Sequence, residues 1–130
     1  MEILSISIDK EALRQLEGVQ KRLGFKSRSK MLRSAMQSLV KDYEGIEALR
    51  GDVESVFVIT YKEAEKNHVS DILHRFKDVV ETEMHHHHAG TGIDVINLDT
   101  SADRTRELFN ALKRSKCVHS VNCSVISERK

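Results

Sequence analysis

Four consecutive histidines, His85-His86-His87-His88, are the residues of this chain best suited to coordination chemistry. Neutral imidazole binds divalent transition ions and gains its proton near neutrality, so the cluster could hold a metal or act as a pH-dependent switch. On a strand, alternate side chains share a face, which would put His85 and His87 on one side and His86 and His88 on the other. A His-x-His pair of this kind can place two imidazoles on one ion, although a polar edge strand without an ion would carry the same pattern. A rival set is Cys117, His119 and Cys123, which alternate onto one face of a predicted strand. With His85 or His87 they would offer a sulfur-rich site for zinc or cuprous copper, but their spacing fits no established zinc motif. Two cysteines in one short segment also make no disulfide framework, and reduced thiols are expected.

A second chemistry-bearing stretch lies at the other end. Residues 1–9 alternate, with Leu4, Ile6 and Ile8 on one face and Ile3, Ser5 and Ser7 on the other. If two such strands pair antiparallel, the small hydroxyl face of the ribbon can enter the major groove and reach base edges. From Gly18 to Lys41 there are seven basic residues and no acid, an electrostatic footprint suited to phosphate. Within it, the free N–H groups at the start of a predicted helix, together with Ser27, Arg28, Ser29 and Lys30, make a natural phosphate grip.

The elements that must position these groups follow from periodicity. After the opening strand, Leu13, Leu16, Val19 and Leu23 recur at helical spacing between Asp9, an N-cap, and Gly24, a C-cap. Ser27 caps a second helix carrying Met31, Leu32, Ala35, Met36, Leu39 and Val40. One strand and two amphipathic helices bury too little alone, so this βαα unit is expected to complete itself by dimerising. The charged stretch 41–54, with Gly45 and Gly51, holds the domain boundary, giving domains 1–48 and 53–130. Beyond it, 55–61 reads as a buried strand, 63–78 as a helix, 79–89 as a strand, Gly90-Thr91-Gly92 as a turn, and 93–99 as a strand. A helix capped by Ser101 and a last strand, 117–127, complete the order βαββαβ, which a ferredoxin-like plan satisfies with right-handed crossovers. The fold class is α+β.

No glycine-rich phosphate loop, paired-carboxylate motif or His-Glu-x-x-His is present, so the sequence does not indicate an enzyme. It contains neither an apolar run of membrane-spanning length nor the layout of a secretion signal, and a cytoplasmic location with no membrane partner is expected.

The segment Met1 to Leu39, with Ser-Ile-Ser-Ile-Asp and then Leu-Gly-Phe-Lys-Ser-Arg-Ser-Lys-Met-Leu-Arg, resembles a ribbon-helix-helix repressor domain. That resemblance implies base reading by Ile3, Ser5 and Ser7 and phosphate contact through Ser27, Arg28 and Ser29. Ile3 departs from the polar or basic residue that relatives often carry there. The whole chain further resembles the nickel-responsive ribbon-helix-helix regulators, whose second domain is ACT-like. It implies a metal-responsive transcriptional repressor bound to operator DNA, a dimer through the N-terminal domains and a tetramer through the C-terminal ones. The family's two strand histidines map onto His85 and His87, and a further ligand comes from the end of the preceding helix of a neighbouring subunit, where this chain offers His74 and Asp78. The family's cysteine ligand, expected just after the turn, is missing from Thr91-Gly92-Ile93, and Asp94 is the nearest donor. Nickel is implied by the resemblance, while a nitrogen and oxygen set leaves zinc, cobalt or copper open. An alternative is an ACT-like domain that senses a small molecule such as an amino acid.

Overall fold

The computed structural model of the chain describes residues 2–130. It divides into two compact units, one ending at Gly45 and the other running Ile46–Lys130.

In the first unit, α1 (Lys10–Leu23) begins at Asp9, whose side chain accepts a 2.7 Å hydrogen bond from Ala12 N–H. It ends at Gly24, whose left-handed φ of 72° is accessible to glycine without steric cost. α2 (Arg28–Glu47) starts at Ser27, whose hydroxyl accepts from Lys30 N–H at 3.1 Å. This helix runs through the first half of the stretch expected to be a linker, because Gly45 is tolerated in a helix interior at about 1 kcal/mol. The described residues before Lys10 form no strand within one chain. A strand needs a partner to satisfy its ladder, and the single chain supplies none.

The second unit is a four-stranded antiparallel sheet of order β2-β3-β1-β4, with β1 (Asp52–Lys62), β2 (Val80–His88), β3 (Thr91–Ser101) and β4 (Val118–Arg129). β1 is followed by a 3-10 turn, Glu63–Glu65, and α3 (Lys66–His74), while α4 (Ala102–Arg114) joins β3 to β4. The βαββαβ order and split connection match the expected plan. One face of the sheet is buried: Phe57, Ile59, Tyr61, Ile96, Leu98 and Val121 pack against Val69 and Leu73 of α3 and Leu108 and Leu112 of α4. β1 alternates strictly between buried and half-buried positions, as its period-two apolar pattern requires. The expected helix 63–78 is shorter, with its first turn wound as 3-10 and its end unwound after His74.

β2 and β3 join through a two-residue loop. His88 pairs with Thr91, and Ala89 and Gly90 take φ values of 51° and 81°. Two successive positive φ values fit the type I′ turn, whose twist matches that of a hairpin. The turn is thus one residue earlier than Gly90-Thr91-Gly92, and Gly92 is freed for another role.

Candidate metal centre

The hairpin decides which histidines converge. His85 lies opposite Asp94, and His87 opposite Gly92, which is itself opposite Tyr61 on β1. His85 and His87 therefore share the face of the sheet that the helices cover, at the end where that cover stops. Their rings lie 6.2 Å apart between centroids. His86 and His88 are exposed on the alternate positions.

A third residue completes the group. Glu63, the first residue beyond β1, brings its carboxylate to the two rings, and one ligand atom from each of Glu63, His85 and His87 lies within 4.8 Å of the others. Glu63 Oε1 is 3.2 Å from His85 Nε2. The other carboxylate oxygen, Oε2, is buried without a hydrogen-bond partner. A buried carboxylate oxygen left unpaired is costly unless a cation or a donor satisfies it.

Behind these groups sits a buried polar pair. Asp94 Oδ1 is 2.6 Å from His85 Nδ1 and accepts a 2.8 Å hydrogen bond from the Tyr61 hydroxyl. Tyr61 is fully buried and its ring stacks near that of His85. The Asp94 hydrogen bond is the main cause that raises the His85 pKa, opposed by partial burial and helped by Glu63. Burial above all, and then Asp94, lifts the Tyr61 phenol far above its ordinary range, so it stays a neutral donor. In the neutral ring, Asp94 is placed to accept the Nδ1 proton in a hydrogen bond, which would leave Nε2, 3.2 Å from Glu63 Oε1, as the nitrogen available to an ion. That is the carboxylate–histidine arrangement that orients a metal ligand and strengthens it as a base. Gly92 makes room for the arrangement: a Cβ there would lie 2.5 Å from Tyr61 Cε2 and 2.7 Å from Glu63 Oε2.

Two imidazoles and a carboxylate form a nitrogen and oxygen donor set. Such sets suit nickel or copper in tetragonal geometry, so the residues present fit nickel. Asp94, the donor nearest to the place of the missing cysteine, is engaged behind His85. Glu63 escaped the sequence reading, because its place beside the hairpin depends on the strand order and register of the sheet.

The remaining candidates are dispersed. His74 and Asp78 are exposed at and beyond the end of α3 and do not join the Glu63–His85–His87 group. Asp78 is held by Arg104, with Nη2 3.2 Å from Oδ1. The set Cys117, His119 and Cys123 is not assembled. The β1–β4 register slips between Thr60 and Tyr61, leaving His119 unpaired and exposed, while Cys123 packs against the core. Ile3, Ser5 and Ser7 are exposed in the segment before α1, and Ser27, Arg28, Ser29 and Lys30 are exposed at the start of α2. Arg28 there pairs with Glu17 at 2.9 Å. Among the described residues, no helix is long and apolar enough to cross a membrane.

Comparison with known proteins gives a consistent picture. Residues 55–126 match the family described as the NikR C terminal nickel binding domain. The protein named "Putative nickel-responsive regulator" of Methanocaldococcus jannaschii is 26% identical over 97% of this chain and 92% of its own length. "Putative nickel-responsive regulator 2" of Methanothermobacter thermautotrophicus is 24% identical over 95% of this chain and 91% of its own. Among solved structures, an uncharacterized protein from Thermotoga maritima superposes with a TM-score of 0.55 at 17% identity, covering 59% of this chain and all of that one. The ACT domain from GTP pyrophosphokinase of Chlorobium tepidum gives 0.50 at 14% identity over 57% of this chain and all of its own. These two likenesses establish an ACT-like fold for the second unit.

Proposed function

The chain belongs to the NikR C terminal nickel binding domain family, and from that premise we propose that it is a nickel-responsive DNA-binding transcriptional regulator, acting as a repressor. The observation that carries the reading is the convergence of Glu63, His85 and His87, one ligand atom of each within 4.8 Å of the others, with Asp94 Oδ1 2.6 Å from the far nitrogen of His85. His85, His87 and Glu63 would hold the ion from one chain, and His74 and Asp78 are the donors that a neighbouring subunit would bring. When bound across subunits, nickel would favour one arrangement of the DNA-binding units over others and so shift the population between operator-competent and incompetent forms. Contacts of Tyr61 and Asp94 with His85 Nδ1 hold the ring in one orientation, which preorganises the site.

In this reading residues 1–48 are the DNA-binding domain and 53–130 the metal-sensing domain that tetramerises. Two copies of residues 1–9 would pair as a ribbon, with Ile3, Ser5 and Ser7 toward the bases. Ser27, Arg28, Ser29 and Lys30 would meet phosphate at the start of α2. The supporting facts are local: the strand forms no ladder alone, and the apolar side chains Leu4, Ile6 and Ile8 stand exposed. A second reading, sensing of a small molecule, is favoured by a polar cleft of about 430 Å³ lined by Ser70, His74, Lys77, Glu81 and Glu83, a size within the usual range for ligand sites.

The test is a gel shift on the DNA upstream of the chain's own gene, titrated with nickel, beside calorimetry of nickel binding. Wild-type protein is expected to bind nickel stoichiometrically and change its DNA affinity with it. His85→Ala with His87→Ala should lose both responses, and Ser5→Ala with Ser7→Ala should lose discrimination between operator and unrelated DNA while keeping nickel. Full nickel binding in the double histidine variant would defeat the assignment.

A further inference from the structure

The 3-10 turn that delivers Glu63 to the histidine hairpin delivers a second carboxylate, Glu65, two residues later. Glu65 meets side chains from two other elements. His68, in the first turn of α3, places Nδ1 2.6 Å from Glu65 Oε2. Cys117, at the entry to β4 and 52 positions away from Glu65, directs its thiol to the same oxygen at 3.5 Å. One ligand atom from each of the three residues lies within 4.8 Å of the others. A histidine and a glutamate three apart on a surface helix are commonplace. A thiol brought to the same carboxylate oxygen by the sheet is not, and it turns a surface pair into a set of three different donor types.

We propose that Glu65, His68 and Cys117 form a second metal site, distinct from the histidine hairpin, that takes a thiophilic divalent ion of the zinc class.

The geometry is close to what such an ion needs. In tetrahedral zinc sites the metal lies about 2.0–2.3 Å from its ligands, which sets neighbouring ligand atoms roughly 3.5 Å apart. The three side chains must therefore move by only an ångström or so. His68 is exposed and Glu65 and Cys117 are half-buried, so an ion can enter from solvent. Imidazole, carboxylate and thiolate together select zinc over calcium or magnesium, which prefer oxygen alone. The present proton arrangement agrees. Partial burial and then the neighbouring Glu65 push the Cys117 thiol up, so without a cation sulfur keeps its proton and donates it to the carboxylate. His68, and to a lesser degree Cys117, hold Glu65 below the usual carboxylate range. An incoming divalent ion replaces the thiol proton, forming a metal–sulfur bond as the S–H bond breaks and releasing one proton to solvent.

The test uses the full chain carrying His85→Ala and His87→Ala, so that the hairpin site is silent. Cobalt(II) serves as the spectroscopic probe, because a thiolate ligand gives it a charge-transfer band. The expected result is one such band, displaced by added zinc, kept in Cys123→Ser and lost in Cys117→Ser. His68→Ala, an exposed position whose loss leaves the core untouched, should weaken cobalt binding roughly tenfold or more. Zinc should also slow alkylation of Cys117 by roughly tenfold, since a coordinated thiolate is a poor nucleophile. Cys123, whose thiol burial pushes up to about 11, labels slowly in either state and serves as the internal reference. Absence of the band in protein that retains Cys117, or alkylation of Cys117 indifferent to zinc, would overturn the site without touching the assignment of the hairpin.

Discussion

α1 and α4 are nearly matched helices in very different circumstances. They contain 14 and 13 residues, both are strongly amphipathic, and each begins with a side-chain cap, Asp9 on Ala12 N–H and Ser101 on Arg104 N–H. α4 buries Ala102, Thr105, Leu108 and Leu112, whereas none of α1 is buried. Local sequence thus makes both helices, but only one of them finds its packing surface within a single chain. The same contrast runs through the two units. The second unit has a closed apolar core under its sheet, while the first leaves Leu23, Met36, Leu39 and Val40 exposed beside Leu4, Ile6 and Ile8. Apolar stripes on short helices stabilise only what they are buried against. The first unit therefore has the composition of a domain and the burial of half a domain, which is what a subunit built to pair with its own copy should show.

The largest expected effect comes from breaking the finished half. Leu108→Ala removes a fully buried side chain from the core between α4 and the sheet. It should cost about 3 kcal/mol, within the usual 2–5 kcal/mol for such a truncation. Urea unfolding should show this loss equally at low and high protein concentration, because the contacts lie within one chain. A loss below about 1 kcal/mol would mean that the core under the sheet is not as closed as its burial indicates.

A smaller effect distinguishes the open half. Leu39 on α2 is 66% exposed in the single chain, and a polar replacement at such a site ordinarily changes stability by no more than about 0.5 kcal/mol. Leu39→Asp should instead weaken self-association by roughly tenfold or more, about 1.4 kcal/mol, because pairing would bury an uncompensated charge. Sedimentation at several concentrations reads this directly. If the assembly is unchanged, α2 pairs with nothing through this stripe and the contrast between the units is only one of exposure.

How much of this was legible in the sequence follows the same division. Helix α1 could be bounded to the residue from Asp9 and Gly24, because caps act locally. The βαββαβ order could be read because period-two and period-3.6 patterns barely overlap in residues 55–127. The end of α2 could not be read, since a charged segment with one glycine is compatible with either helix or linker. At the site, the pairing of His85 with His87 followed from strand geometry alone. Glu63 and the placement of Asp94 did not, because they depend on cross-strand register: Asp94 opposite His85, and Gly92 between Tyr61 and His87. The alternation that grouped Cys117 with His119 and Cys123 failed for the same reason, since a one-residue slip in β4 redirects every side chain beyond it.

The smallest expected effect concerns the tip of the histidine hairpin, the one place where the well-packed unit carries backbone strain. Ala89 sits at a φ of 51°, in the left-handed region, as the first of the two turn residues. That conformation costs a non-glycine residue on the order of 1 kcal/mol, whereas asparagine tolerates it by bonding locally with its own side chain. Asn-Gly is the preferred pair for this turn, and unlike glycine at the first position it adds no backbone freedom to the unfolded chain. Ala89→Asn should therefore stabilise the unit by about 0.5–1 kcal/mol, seen as a higher urea midpoint with an unchanged slope. Because the turn fixes the register that brings His85 opposite Asp94, the same substitution should leave nickel affinity equal or slightly greater. A lower midpoint would show that Ala89 is not strained, and that the register is set by the cross-strand pairs rather than by the turn.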